Sequence, residues 1–211
     1  MARKQGKRAS YDRILIVSEG SKTEPLYFGE IRSFYKLNTA HVRVQPGALG
    51  TQPLQVVEYA EQLFRMGDPH KGIQPRAFEQ VYALFDRDDH PTFHAALASA
   101  EALNGKLKND LGVVVKIEAI PSVPCFELWL LLHFEDIHAP LHRAEVQQRL
   151  RQHLPGYAKG QAGQFAATRL HIDLATQRAT QLALQHTAHD GRRPFTGIHG
   201  LVSLLMKMKP R

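Results

Sequence analysis

The chain has 211 residues, 43% of them apolar, which suits a globular protein with a sizeable core and excludes a disordered segment. Cys125 is the single cysteine, so an intrachain disulfide framework and a cysteine-based zinc cluster are both excluded. The net charge is +7, but residues 1–142 carry 16 Lys+Arg against 17 Asp+Glu and residues 143–211 carry 11 against 3, so the whole excess lies in the last third and points to a polyanion, nucleic acid above all, as partner there.

Residues 1–12 read as a flexible basic tail without the apolar stretch of a secretory signal. No apolar run is long enough to span a bilayer, so a cytoplasmic protein with no membrane association is expected. Residues 13–17 (Arg-Ile-Leu-Ile-Val) form a continuous apolar run, as in a strand buried on both faces of a parallel sheet. Thr23 reads as the N-cap of a helix reaching residue 35, with Pro25 in its first turn. A second strand is expected over 41–45, and a helix over 53–66 whose apolar face carries Leu54, Val57, Leu63 and Phe64. A third strand over 80–85 ends at Asp86, a helix covers 92–107, and a fourth strand runs over 112–120 with Pro121 closing it. Residues 126–134 are apolar nearly all round and read as a buried helix. Beyond residue 139 the texture turns helical and basic, with helices at 143–154, 166–187 and 198–208 broken by Leu154-Pro155-Gly156 and by the Gly191–Pro194 turn.

Alternating strands and helices imply an α/β fold: a mostly parallel sheet flanked by helices over 13–138, with a basic helical C-terminal region over 139–211. In such sheets ligands sit outside the carboxyl ends of the strands. Two acidic motifs fall there: Ser18-Glu19-Gly20 after the first strand and Asp86-Arg87-Asp88-Asp89-His90 after the third. Strand alternation would put Asp86 and Asp88 on one side of the chain. With Glu19 they form an oxygen-rich set suited to Mg²⁺ or Mn²⁺, Glu19 completing the ligation or acting as base. A lone D-x-D reads as a polar turn; two strand-end motifs together carry more.

Around this set, Lys22 and Thr23 open a helix whose N–H groups suit a phosphate. Glu24 reads as a first-turn capping carboxylate or a ligand, Asp89 as a support for the site or a cap for the following helix, and His90 as a turn residue or proton shuttle. Glu127, in a helix otherwise apolar, must either reach the metal site or pair with a basic side chain. Lys159, Arg169, Arg178, Arg192 and Arg193 are candidates for nucleic-acid contact as a group, none singled out by spacing.

Residues 14–20 with Asp86 and Asp88 resemble a Toprim domain, the acidic fold of topoisomerases, primases and OLD-type nucleases. The run Glu19-Gly20-Ser21-Lys22-Thr23-Glu24-Pro25-Leu26-Tyr27-Phe28, the Asp86–His90 segment, and Ser122-Val123-Pro124-Cys125-Phe126-Glu127-Leu128-Trp129-Leu130-Leu131-Leu132-His133-Phe134 are similar to the three signature blocks of RloB-like proteins. Gly156-Tyr157-Ala158-Lys159 and residues 197–205 resemble that family more loosely. The resemblance implies a metal-dependent nuclease acting on phage or host nucleic acid in antiphage defence, beside an AAA-type ATPase partner. The alternative is a non-catalytic nucleic-acid-binding sensor or adaptor for such an ATPase; a third reading is nucleotidyl transfer on a small nucleotide.

Overall fold

The computed structural model describes residues 12–39, 41–50 and 52–208; all but Asp12 of the expected basic tail lies outside them. The elements follow the expected alternation: β1 (Ile14–Ser18), α1 (Thr23–Phe34), β2 (Val42–Pro46), α2 (Pro53–Met66), β3 (Gln80–Asp86), α3 (Phe93–Leu103), β4 (Lys116–Val123) and α4 (Glu127–Leu131). Then come α5 (Arg143–His153), α6 (Gln164–Thr168), α7 (Ile172–Gln185), the short β5 (Phe195–Thr196) and α8 (Ile198–Lys207).

The sheet order is β2-β1-β3-β4-β5. β1 pairs in parallel with β2 on one side and β3 on the other, with Ile14 opposite both Val42 and Gln80. β4 continues in parallel beyond β3, and β5 closes the edge antiparallel to it. The winding reverses between β1 and β3, and that reversal opens a crevice at their carboxyl ends.

All of β1 is buried because its residues feed two cores in alternation. Ile14 and Ile16 pack with Tyr27, Phe28 and Ile31 of α1. Leu15 and Val17 pack with Val56, Val57, Ala60, Leu63 and Phe64 of α2 and with Phe93, Ala96 and Leu97 of α3. The C-terminal helices share the first of these cores, through Leu150, Phe165, Ile172, Leu182, Leu201 and Leu205. Glu30 of α1 ties them down further, accepting hydrogen bonds from the backbone N–H groups of Gly163, Phe165 and Ala166.

Trp129 and Tyr27 are both fully buried, and the indole Nε1–H donates to the Tyr27 hydroxyl at 2.8 Å. Tyr27→Phe would leave that donor without an acceptor in the core. A loss of about 1–2 kcal/mol in urea unfolding is expected, the range for stranding a buried polar group.

Several boundaries depart from the sequence reading: α3 stops at Leu103, not residue 107, α4 covers only Glu127–Leu131, and Thr23 is the first residue of α1, with Lys22 and not Thr23 in the cap position. The fourth strand starts at Lys116, not residue 112, because the Asn109 side chain accepts from the N–H groups of Leu111 and Val113 and curls that segment into a loop. It also runs through Pro121, which turns its carbonyl, and with it the missing donor, toward the β5 edge; Gly197 N–H meets that carbonyl at 3.0 Å. The helix expected over 166–187 is divided into α6, a 3₁₀ turn at Arg169–His171 and α7. The Thr168 hydroxyl donates back to the Gln164 carbonyl at the break, a bond that bends helices.

Candidate functional site

β1 and β3 deliver their carboxylates to the crevice at the point of winding reversal. Glu19 follows β1 directly, and its Oε2 accepts from the Asp86 backbone N–H at 3.0 Å. Its Oε1 lies 3.3 Å from His90 Nε2. Asp86 ends β3, is 6% exposed, and accepts the Phe126 N–H on Oδ1 at 2.8 Å. Asp88 is brought alongside by a left-handed turn, φ +35°, and not by strand alternation, because β3 ends at Asp86. Aspartate is among the few residues that tolerate this conformation.

Two glutamates deepen the cluster. Glu24 sits in the first turn of α1, 5% exposed, with its carboxylate packed on Gly20. A Cβ at position 20 would stand 2.1 Å from Glu24 Oε2, so the glycine of the Glu-Gly motif makes room for the second carboxylate. Gly20→Ala is expected to destabilise by about 1–3 kcal/mol through overpacking. In a Glu24→Ala background the same change should cost little, a non-additivity that a double-mutant cycle reads directly. Among the described residues Glu127 pairs with no Arg or Lys. Its Oε1 accepts from the Tyr157 hydroxyl at 2.8 Å and from Gln147 Nε2 at 3.3 Å. Glu24 and Glu127 each keep one buried carboxylate oxygen, Oε2, with no partner among the described residues.

The electrostatics follow from this crowding. Burial pushes the Asp86 carboxyl well above its ordinary range, and the charges of Glu24, Glu127, Glu19 and Asp88 add to it in that order. Burial likewise raises Glu19, and raises Glu24 to about 7 with help from Glu127. Asp86 is thus the hub of five carboxylates.

The compensating charge comes from the C-terminal region. Arg143, the first residue of α5, pairs through Nη1 with Asp88 and places Nη2 3.8 Å from Asp86. Above the cluster opens a cleft of about 550 Å³, lined by Glu19, Asp88, His90 and Arg143 and by the basic side chains Arg87, Lys159 and Arg192. Arg87 stacks on Phe93 and keeps a buried Nη1 without a partner among the described residues.

The predicted residues are therefore brought together unequally. Glu19, Asp86, Asp88, His90, Glu24 and Glu127 converge. Thr23 is buried and its hydroxyl accepts the Gly160 N–H at 3.0 Å, so the start of α1 is covered by the 157–163 loop and Lys22 lies exposed with its stem against Gly160. Asp89 neither backs the cluster nor caps α3; it is exposed and pairs with Arg192 at 2.7 Å. Among the predicted nucleic-acid contacts only Lys159 and Arg192 line the cleft. Arg178 donates to the Leu132 carbonyl, Arg169 stacks over Phe34, and Arg193 is exposed outside the cleft lining. Arg143, Arg87 and Tyr157 went unpredicted. Tyr157 lies in the Gly156–Lys159 stretch that loosely resembles the RloB-like family; Arg143 opens a polar helix and carries no sequence signal.

In kind, the donors suit a hard divalent cation: all are carboxylate oxygens, two of them buried and bare. In arrangement they are not a finished ligand set. Among the described residues no three His, Cys, Asp or Glu side chains are gathered to hold a metal, and Arg143 stands on two of the carboxylates.

A family model described as RloB-like protein matches residues 14–205, which spans every element of the sheet, the carboxylate cluster and the loop that carries Tyr157 and Lys159. No curated protein and no solved structure matches the chain. Among the described residues no helix is long and apolar enough to cross a membrane.

Proposed function

This chain belongs to the RloB-like protein family, and from that premise we propose that it is a Toprim-type, Mg²⁺- or Mn²⁺-dependent phosphodiesterase acting on nucleic acid. One observation carries the reading: five carboxylates centre on Asp86 at the winding reversal of the sheet, beneath a cleft rimmed by cations. Isolated buried carboxylates are costly, and so dense a set is retained at functional sites.

Glu19, Asp86 and Asp88 hold the cation, with Glu24 and Glu127 behind them. When bound, the cation supplies an activated water and charge stabilisation at the scissile phosphate. The chain's own groups do the rest. Lys159, Arg87 and Arg192 draw the phosphodiester backbone into the cleft, the sequence-independent part of nucleic-acid binding. His90 fixes the Glu19 carboxylate, and Tyr157 fixes that of Glu127. A place in antiphage defence and an AAA-type ATPase partner are part of the proposal and rest on the family.

The test is incubation of wild type and Asp86→Ala with tRNA, rRNA and plasmid, with and without Mg²⁺ or Mn²⁺, and with any ATPase encoded beside it. Metal-stimulated cleavage by wild type alone supports the reading; equal cleavage by a pure Asp86→Ala protein sinks it.

A second reading has its own support. Arg143 already pairs with Asp86 and Asp88 from within the chain, an internal counter-ion that suits a non-catalytic sensor or adaptor. Tight, metal-independent binding with no cleavage of DNA or RNA favours it.

A further inference from the structure

Arg143 is placed where its own helix does not want it. It is the first residue of α5, where the helix dipole favours an anion. Its guanidinium is held instead by Asp88 and Asp86. A divalent cation on the same oxygens and a guanidinium at this spacing repel each other strongly in a partly buried cleft. The two cations cannot both occupy Asp86 and Asp88.

Arg143 also has somewhere to go. It lines the cleft with Lys159, Arg87 and Arg192, and its side chain is 32% exposed, so the fork can turn without unfolding α5. A planar guanidinium offers paired donors matched to phosphate oxygens. The Arg87 Nη1, buried without a partner in the same wall, is a second donor seeking an anion.

We propose that Arg143 is an exchangeable counter-ion: it neutralises Asp86 and Asp88 until a divalent cation displaces it, and the freed guanidinium then binds a phosphate of the nucleic acid. This rests on the proposed metal-dependent function and adds to it a positioning residue that couples metal to substrate. By linkage the coupling is reciprocal, so phosphate capture also favours the metal.

The experiment reads binding without cleavage. Mn²⁺ affinity is measured by electron paramagnetic resonance on wild type, Arg143→Gln and Arg143→Lys. Oligonucleotide affinity is measured by fluorescence anisotropy in EDTA and in Ca²⁺. Arg143→Gln is expected to bind Mn²⁺ about tenfold tighter, a common size for coupling between sites, and to lose most of the metal-induced gain in oligonucleotide affinity. Arg143→Lys should restore much of that gain. A variant that merely disturbed the fold would weaken both. Mn²⁺ binding unchanged or weaker in folded Arg143→Gln overturns the proposal. No Mn²⁺ binding by any of the three proteins overturns the metal reading itself, a separate result. A measurement on wild type needs no variant: Mn²⁺ should speed modification of Arg143 by phenylglyoxal, followed by mass spectrometry, and added oligonucleotide should then protect it. An Arg143 reactivity that ignores Mn²⁺ overturns the exchange.

Discussion

Asp86→Asn is expected to abolish metal-dependent cleavage and, in the same protein, to raise stability. On the proposed metal-dependent function the activity loss follows from its position as hub of the cluster: the amide would not supply the charge that a cation there needs. A fall of about 10³-fold or more is expected, comparable to losing a group that acts directly on transition-state charge. The gain in stability follows from the same geometry. Asp86 is 6% exposed among Glu24, Glu127, Glu19 and Asp88, and Asn keeps the Oδ1 acceptor for the Phe126 N–H while removing one charge from that crowd. An increase in stability at pH 8 in EDTA is expected, because burial and four neighbouring carboxylates disfavour the charged form of Asp86 by more than its 3.8 Å contact with Arg143 offsets. Urea unfolding at unchanged m checks it, beside the nuclease assay. Lower stability together with lost activity would mark Asp86 as a structural residue instead.

The second large effect is a pH-dependent gain in Glu24→Gln. Burial holds the Glu24 proton to about pH 7, against an ordinary value of 4.5. The folded protein therefore keeps a proton that the unfolded chain releases above 4.5. The protonated carboxyl's contribution is complete below that pH and is lost as pH rises through 7. Wild type and Glu24→Gln should match near pH 4.5 and diverge above it, with the variant more stable by on the order of 3 kcal/mol at pH 8 in EDTA. His133 acts in the opposite direction. Burial lowers it to about 4, so its contribution grows as pH rises toward 6.5, but it is common to both proteins and cancels in the difference. Saturating Mn²⁺ at pH 8 should close part of the gap by stabilising the wild type. Parallel stability curves for the two proteins from pH 5 to 8 would show that Glu24 is not held protonated in the fold.

Much of this molecule was legible in one dimension. The short apolar run over residues 13–17, stopped by Ser18-Glu19-Gly20, suits a strand covered on both faces, and β1 is that strand. Strand ends at Glu19 and Asp86 placed two acidic motifs on one edge of a parallel sheet. These features are local: they depend on periodicity and on which residues stop a strand, and both are written in consecutive positions. What stayed hidden depends on residues far apart in the chain. Asp88 meets Arg143 across 55 positions, Glu127 meets Tyr157 across 30, and Gly160 meets Thr23 across 137. The sequence by itself determined the α/β sheet, the family and the carboxylates Glu19, Asp86 and Asp88. Only the tertiary structure decided that Glu24 and Glu127 join them, that Arg143 pairs with Asp86 and Asp88, and that the basic C-terminal third supplies one wall of the same cleft. Burial and Coulomb energy act through space, and a buried carboxylate's partner is chosen by packing, not by spacing along the chain.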